Sequence, residues 1–259
     1  MKRVVLLGDT HCGHITGLTP PGWMLREERF PKLYEMQKEM WGNYRKLIRK
    51  LSPVDVLIAN GDLIDGKGIK SGGSEIIHPD LFEQGDMAVK ALQIWNAEKT
   101  ICVYGTPYHT ATGSGEDVEK IIAEKLEAEI HSHAFIDIEG IILDCKHKIG
   151  SSQIPWGKHT AISRERVQNM LWADAEGGQP RADVFIRSHV HYYNYCGGID
   201  WLAMTLPALQ GPHTKFGARQ CSHPVDWGVV VMDIDKGKIV NWKPEIIRLN
   251  HFKAEVIKV

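Results

Sequence analysis

Asp9 and His11 stand two residues apart directly after an apolar run, Val4-Val5-Leu6-Leu7-Gly8. The arrangement recurs along the chain. Gly61-Asp62 follows Val56-Leu57-Ile58-Ala59-Asn60, and His109 lies just past Ile101-Cys102-Val103-Tyr104-Gly105. His147 ends the run from Ile141 to Lys146, and His189-Val190-His191 closes Val184-Phe185-Ile186-Arg187-Ser188. Carboxylates and imidazoles together are mixed oxygen and nitrogen donors, a set that suits Mn, Fe, Zn, Co or Ni better than Mg or Ca. Asp62 has two oxygens and so can bridge two cations. Two ions ~3.5–4 Å apart can clamp a phosphoryl group and bring the pKa of a bound water toward neutrality.

Such chemistry requires the residues to converge, and the runs before them supply the means. Aliphatic and β-branched stretches bounded by Gly or polar residues read as buried strands. Side chains that leave the carboxyl ends of strands meet at one sheet edge, where open α/β sheets place their ligands. The spacing predicts strands over 3–8, 54–60 and 100–104, alternating with helices over 34–51, about 81–96 and 116–129. Met40, Tyr44, Leu47, Ile48 and Leu51 share one face of the first helix; Phe82, Val89, Leu92 and Trp95 share one face of the second; Val118, Ile121, Ile122 and Leu126 lie inward on the third. This alternation implies βαβ units. Beyond Ile130 the pattern changes to strands over 134–138 and 141–147 around Glu139-Gly140, a helix near 161–175, and strands over 183–188, 200–206, 227–233 and 238–248. A chain that begins as βαβ and ends in hairpins implies two packed sheets with helices outside. Two long loops, 12–33 and the glycine-containing 65–80, are of a length that is often functional, and the second reads as a lid.

Asp-x-His, Gly-Asp, Gly-x-x-x-His, a lone His and His-x-His, in that order and at offsets of 53, 47, 38 and 42 residues, resemble the calcineurin-like metallophosphoesterase family. Each motif alone is weak; the ordered set carries the resemblance. It covers most of the chain, from Asp9 to His191, and the later strands fit the family's second sheet. The resemblance implies an α/β fold of two packed mixed β-sheets flanked by helices, a four-layer α/β/β/α sandwich, with residues 1–259 as a single domain. It implies that Asp9, His11 and His191 hold one divalent metal, that Asp62 bridges, and that His147 and His189 hold the second, with manganese foremost among the ions. His109 would protonate the leaving oxygen or donate to a phosphoryl oxygen. The implied reaction is attack on phosphorus by a hydroxide formed on the metals, with a phosphodiester (nucleotide or oligonucleotide) preferred to a monoester. The substrate is then a phosphate ester, a nucleotide or single-stranded nucleic acid among the candidates. The rival is a catalytically silent scaffold or binding protein that keeps the fold.

One position departs from the family. Its Gly-Asn-His, followed by an acid, is replaced by Gly105-Thr106-Pro107-Tyr108-His109-Thr110. The Asn that would ligate the second metal is missing, and Thr106 is the candidate to supply an oxygen in its place. No acid directly follows His109 to orient its ring, and Glu116 and Asp117 are the nearest downstream. The variant is associated with phage-borne relatives.

Other residues have plainer readings. His131-Ser132-His133 is expected at the opposite edge of the sheet, in a solvated turn. His14, His78, His159, His213, His223 and His251 are expected at the surface, His14 having the better claim to the site because it lies three residues from His11. Cys12 reads as a small buried side chain. The glycines over 66–73 match neither phosphate-loop pattern. Arg187 either meets a phosphate or pairs with a carboxylate. Tyr192, Tyr193, Tyr195 and Trp156 are aromatic at a sheet edge, where packing is commoner than base stacking.

The whole chain sets outer limits. Its 259 residues carry 31 Lys and Arg against 32 Asp and Glu, a formal charge of −1, so bulk charge gives no case for duplex nucleic acid or an anionic membrane. Five scattered cysteines without a CxxC pair favour free thiols in a reducing compartment. The apolar start stops at Gly8, too short for a signal-peptide core, and no apolar stretch reaches the ~20 residues of a membrane span. A cytoplasmic protein is expected.

Overall fold

The computed structural model describes residues 1–69, 72–110, 117–152, 154–175, 178–212, 214, 224–250 and 256–258. Along the chain run β1 (Lys2–Leu7), α1 (Pro31–Leu51), β2 (Val56–Asn60), α2 (Leu81–Gln93), β3 (Lys99–Val103), α3 (Pro107–Thr110), α4 (Val118–Lys125) and β4 (Glu129–His131). Then follow β5 (Ala134–Ile138), β6 (Ile141–Cys145), α5 (Lys158–Asp174), β7 (Val184–Arg187), β8 (Asn194–Gly197), β9 (Leu202–Thr205), β10 (Trp227–Asp235) and β11 (Lys238–Ile247).

Strands β1 to β4 pair in parallel, and β10 and β11 extend the β1 side antiparallel, in the order β11-β10-β1-β2-β3-β4. The second sheet has the order β5-β6-β7-β9-β8; β6, β7 and β9 are parallel, with antiparallel strands at both edges. Alternate residues of β1 explain how the sheets are covered. Val4 and Leu6 join Ile58, Val103, Leu143, Val184, Ile186 and Met204 in a core between the sheets. Val5 and Leu7 join Leu57, Ala59 and Cys102 in a core under α1, α2 and α4. On the far face of the second sheet, Phe185 and Ala203 pack with Ile162 of α5. A strand buried on both faces needs an unbroken apolar run, which is why β1 and β2 contain no inward polar residue before their last turn. The result is an α/β fold of four layers, as the family resemblance implied.

Local signals set the helix ends. Pro31 opens α1, where a missing N–H costs nothing. Asp80 accepts from the Phe82 and Glu83 amides and caps α2, and Asp117 accepts from the Lys120 amide and caps α4. No helix among the described residues is long and apolar enough to cross a membrane.

The structure adds β4, β8 and α3 to the elements expected, and begins α1 earlier. The helix expected over 116–129 stops at Lys125, and Glu116 lies outside the described residues. Phe82 is exposed rather than inward, since the buried face of α2 runs through Gln84, Met87, Ala88 and Ala91. The described part of the 65–80 loop is tied down rather than lid-like. Ile15 donates to the Glu75 carbonyl, Ile77 to the Gly13 carbonyl, and the Gln84 side chain grips both the N–H and C=O of Gly66.

Candidate metal centre

Among the described residues, five of the nine non-glycine residues with positive φ are Asp9 (51°), His11 (42°), Asp62 (51°), His189 (73°) and His191 (56°). That backbone region is unfavourable for residues with a Cβ, and such strain concentrates at functional sites. Each of these residues follows the last residue of β1, β2 or β7. The left-handed turn swings the side chain off the strand end and toward its neighbours.

The convergence is close. Asp9, His11 and His191 form one group whose ligand-type atoms all lie within 4.8 Å of one another; Asp62, His147 and His189 form a second; His11, Asp62 and His109 form a third that joins them. The His191 Nε2 is 3.2 Å from Asp9 Oδ1, and the His11 and His147 Nε2 atoms are each 3.8 Å from that same oxygen. The Nε2 atoms of His11 and His191 are 3.3 Å apart. The other carboxylate, Asp62, presents Oδ2 at 2.9 Å to His147 Nε2 and at 4.0 Å to both His189 Nδ1 and His109 Nε2.

These donors fit cations. Asp9 Oδ1 and His147 Nε2 are fully buried and form no hydrogen bond. A buried polar atom left unpaired costs about 1–3 kcal/mol, which an ion between them would recover. His147 Nδ1 donates to the Asn60 carbonyl at 2.7 Å, so a neutral ring turns its Nε2 lone pair on Asp9 and Asp62. His11 Nδ1 is held at 2.8 Å by Asp65 Oδ1, the carboxylate–histidine pairing that orients metal-binding imidazoles. The electrostatics agree. Burial alone would raise the Asp9 and Asp62 carboxyls, yet the surrounding histidines, His191 and His147 foremost, hold both well below the usual carboxylate range. Burial would lower the imidazoles too, but Asp65 lifts His11 to about 10, and Asp62 and Asp9 lift His147 to about 9. Without cations, protons on these rings offset the carboxylates.

Thr106 is brought to the centre, and its backbone N–H and hydroxyl donate to Asp62 Oδ1 at 2.6 and 3.1 Å. Asp117 does not orient His109, and Glu116 lies outside the described residues. The His109 Nδ1 donates to the Asp65 carbonyl at 2.9 Å, while Asp117 is occupied in capping α4 and in accepting from the Tyr104 hydroxyl. Burial, then His11, pushes the His109 imidazole down to about 4.

Two further carboxylates escaped the sequence reading. Asp65 follows Asp62 by three residues, a local signal that was available. Glu119 had none: it is fully buried on α4 and accepts from the amides of Gly105 (2.8 Å) and Leu63 (3.4 Å), tying the turns after β3 and β2 together. Burial raises its carboxyl to about 8. Two glycines permit the close approach. A Cβ on Gly61, at φ +84°, would sit 2.5 Å from His147 Nδ1, and one on Gly105 would overlap Asp62 Oδ1.

Other expectations are corrected. His131 ends β4 and so lies at the same sheet edge as the centre, where its exposed ring pairs with Glu129 at 3.3 Å. His133 donates to Asp144 at 2.8 Å. His14 is buried rather than at the surface, its Nδ1 accepting from the Thr16 amide; His78 is part-buried against Trp23 and Glu83; His159 is exposed. His213, His223, His251 and Cys221 lie outside the described residues. Arg187 is buried and meets carboxylates, Glu165 at 2.6 Å and Asp144 at 2.8 Å. Tyr192 packs in the core beneath α5, Tyr195 against Trp242, and Trp156 is exposed. Cys12 is buried, as expected.

The chain matches no protein-family model and no curated protein. Among solved structures it is similar to Vps29 from Chaetomium thermophilum (11% identity, 95% of this chain and 97% of that one, TM-score 0.49). It is similar to a novel archaeal phosphodiesterase (14% identity, 95% and 99%, TM-score 0.48) and to Vps29 from Entamoeba histolytica complexed with zinc (14% identity, 96% and 99%, TM-score 0.45). None is close enough to lend this chain its activity; the chemistry below follows from the site's own atoms.

Proposed function

We propose that this protein is a dinuclear metal-dependent phosphoesterase that hydrolyses phosphodiesters, nucleotide or oligonucleotide, in preference to monoesters. The observation that carries the reading is the pair of three-residue groups around Asp9 and Asp62, with a buried carboxylate oxygen and a buried ring nitrogen that form no hydrogen bond. In this reading Asp9, His11 and His191 hold one ion, His147 and His189 the other, and Asp62 both. Two divalent ions, manganese first among them, would act as Lewis acids on water and on the phosphoryl oxygens.

The chain's own residues do the rest. Thr106 fixes Asp62 through two hydrogen bonds, and its hydroxyl is the neutral oxygen that could stand in for a further ligand. Asp65 fixes His11 and, through its carbonyl, His109. His109 Nε2 faces the centre, from which it can pass a proton to the departing oxygen. Four unpaired cysteines, Cys12, Cys102, Cys145 and Cys196, suit a reducing, cytoplasmic setting.

The test is Mn²⁺-dependent hydrolysis of bis-p-nitrophenyl phosphate, with Asp62→Asn as the blank. Turnover that the substitution abolishes supports the reading. Bound metal without turnover across a broad ester panel, Zn²⁺, Fe²⁺, Co²⁺ and Ni²⁺ included, would instead identify a silent scaffold.

A further inference from the structure

The departure at Gly105–His109 has a structural product. The turn with its two extra residues contains α3, which stands beside the centre and walls an open cleft of about 400 Å³. Tyr104, Gly105, Pro107, Thr110, His147 and Lys148 are among the residues that line it. We propose that this cleft holds one nucleoside-sized substituent of the phosphodiester and that Lys148 meets an anionic group on it, an assignment that rests on the phosphoesterase reading above.

Four observations bear on it. The cleft opens on the Asp62–His147–His189 group, because Gly105 packs against Asp62 and His147 is itself a lining residue. Its volume falls at the low end of the ~300–1,000 Å³ usual for small-ligand sites, room for one nucleoside and not for a strand. The Tyr104 ring offers a stacking face that is held in orientation, since its hydroxyl donates to Asp117 at 2.7 Å. The charge is specific. Lys146 turns its ammonium to Glu165 at 3.3 Å and contributes only its stem, whereas Lys148 is exposed and, among the described residues, has no acidic or hydrogen-bonding partner. A single free cation suits one anionic group; tracking a polynucleotide backbone takes a groove of them.

Two diesters with a common p-nitrophenyl leaving group test the assignment, one bearing methyl and the other thymidine 3′-monophosphate, through its 5′ oxygen, as the second substituent. In the Mn²⁺-loaded protein, kcat/KM should favour the thymidine ester by tenfold or more, through a lower KM. Thr110→Trp, which fills the cleft, and Lys148→Glu should each bring that ratio toward one. A wild-type ratio near one, or a ratio that neither substitution moves, overturns the assignment. Hydrolysis of neither ester with any divalent metal would sink the phosphoesterase reading itself. The cleft is then judged by calorimetric binding of thymidine 3′,5′-bisphosphate to the metal-loaded protein. Weakening of threefold or more in both variants supports it; equal affinity, or no binding to the wild type, overturns it.

Discussion

His109 has one nitrogen to offer the centre. Its Nδ1–H is committed to the Asp65 carbonyl, so Nε2 faces Asp62 at 4.0 Å, with the His11 ring 4.6 Å away. With the imidazole pushed down to about 4 by burial and His11, the neutral ring prevails at neutral pH. As an acid it is therefore strong but scarce; as a neutral ring it presents a lone pair to the group it shares with His11 and Asp62. His109→Ala separates the two roles. Loss of the acid should slow an alkyl leaving group by roughly 10²–10⁴-fold, spare p-nitrophenyl esters and leave Mn²⁺ affinity intact. Loss of a ligand should weaken Mn²⁺ binding and slow both esters alike. A second prediction concerns proton displacement. His11 and His147 have raised pKa values, about 10 and about 9, so in the metal-free protein both are protonated at neutral pH. An ion must expel those protons, and its affinity should tighten as pH rises, levelling off near 9–10. Calorimetry in buffers of different ionisation enthalpy should register proton release on binding; none would show that these rings do not ligate. Asp65→Asn, which removes the anionic partner of His11, should cost 10–100-fold in metal affinity. The metal-site candidates themselves were legible as residue types at strand ends. Asp65 has only its spacing from Asp62 to mark it, and Glu119 has nothing, because what it does is defined by partners brought near in space: it grips two turns 56 and 14 residues away.

At the scale of elements, the placement of His147 and His189 depends on a buried ion network behind the sheet. Arg187, the last residue of β7, reaches Asp144 on β6 and Glu165 on α5. Lys146, adjacent to His147, adds a second contact to Glu165. The arrangement fastens both ligand-bearing strand ends to the outer helix. Arg187→Leu would leave two acids facing one another in the interior, and breaking a buried pair in this way typically costs ~3–5 kcal/mol. Urea unfolding should show a loss of that order, with metal affinity falling alongside it; a loss under ~1 kcal/mol would mean that water already reaches the cluster. This network also explains the ambiguity of Arg187 in the sequence, since strand alternation gives the face but not what packs on it. The strands that form the cores were readable because each is an apolar run with a definite period. β4 and β8 were not. Glu129-Ile130-His131 is too short and too exposed to carry a pattern, and Asn194-Tyr195-Cys196-Gly197 lies at a sheet edge where only alternate residues are partly covered. α3 is a single turn, visible in the sequence only as a departure from a motif.

For the molecule as a whole, layer order and charge together bear on what it acts upon. The two sheets bring the carboxyl ends of β1, β2, β3, β6 and β7 to one edge, so the centre lies between the layers rather than on a broad face. A narrow edge site on a chain of net charge −1 offers little to a long polyanion. Salt dependence converts that statement into a number. Each phosphate neutralised on a nucleic acid contributes a slope of about −0.7 to −0.9 in log affinity against log salt. One contact, through Lys148, therefore predicts a change of about threefold in KM for the thymidine 3′-monophosphate ester between 50 and 200 mM salt. A protein that tracks a strand through six to ten phosphates loses roughly 10³–10⁵-fold over the same range. Measured side by side, a dinucleotide and a long single strand should then show the same shallow slope, because the cleft grips the same single substituent in each. A slope that steepens with strand length would reveal a basic path beyond Lys148 and move the substrate from nucleotides to polynucleotides.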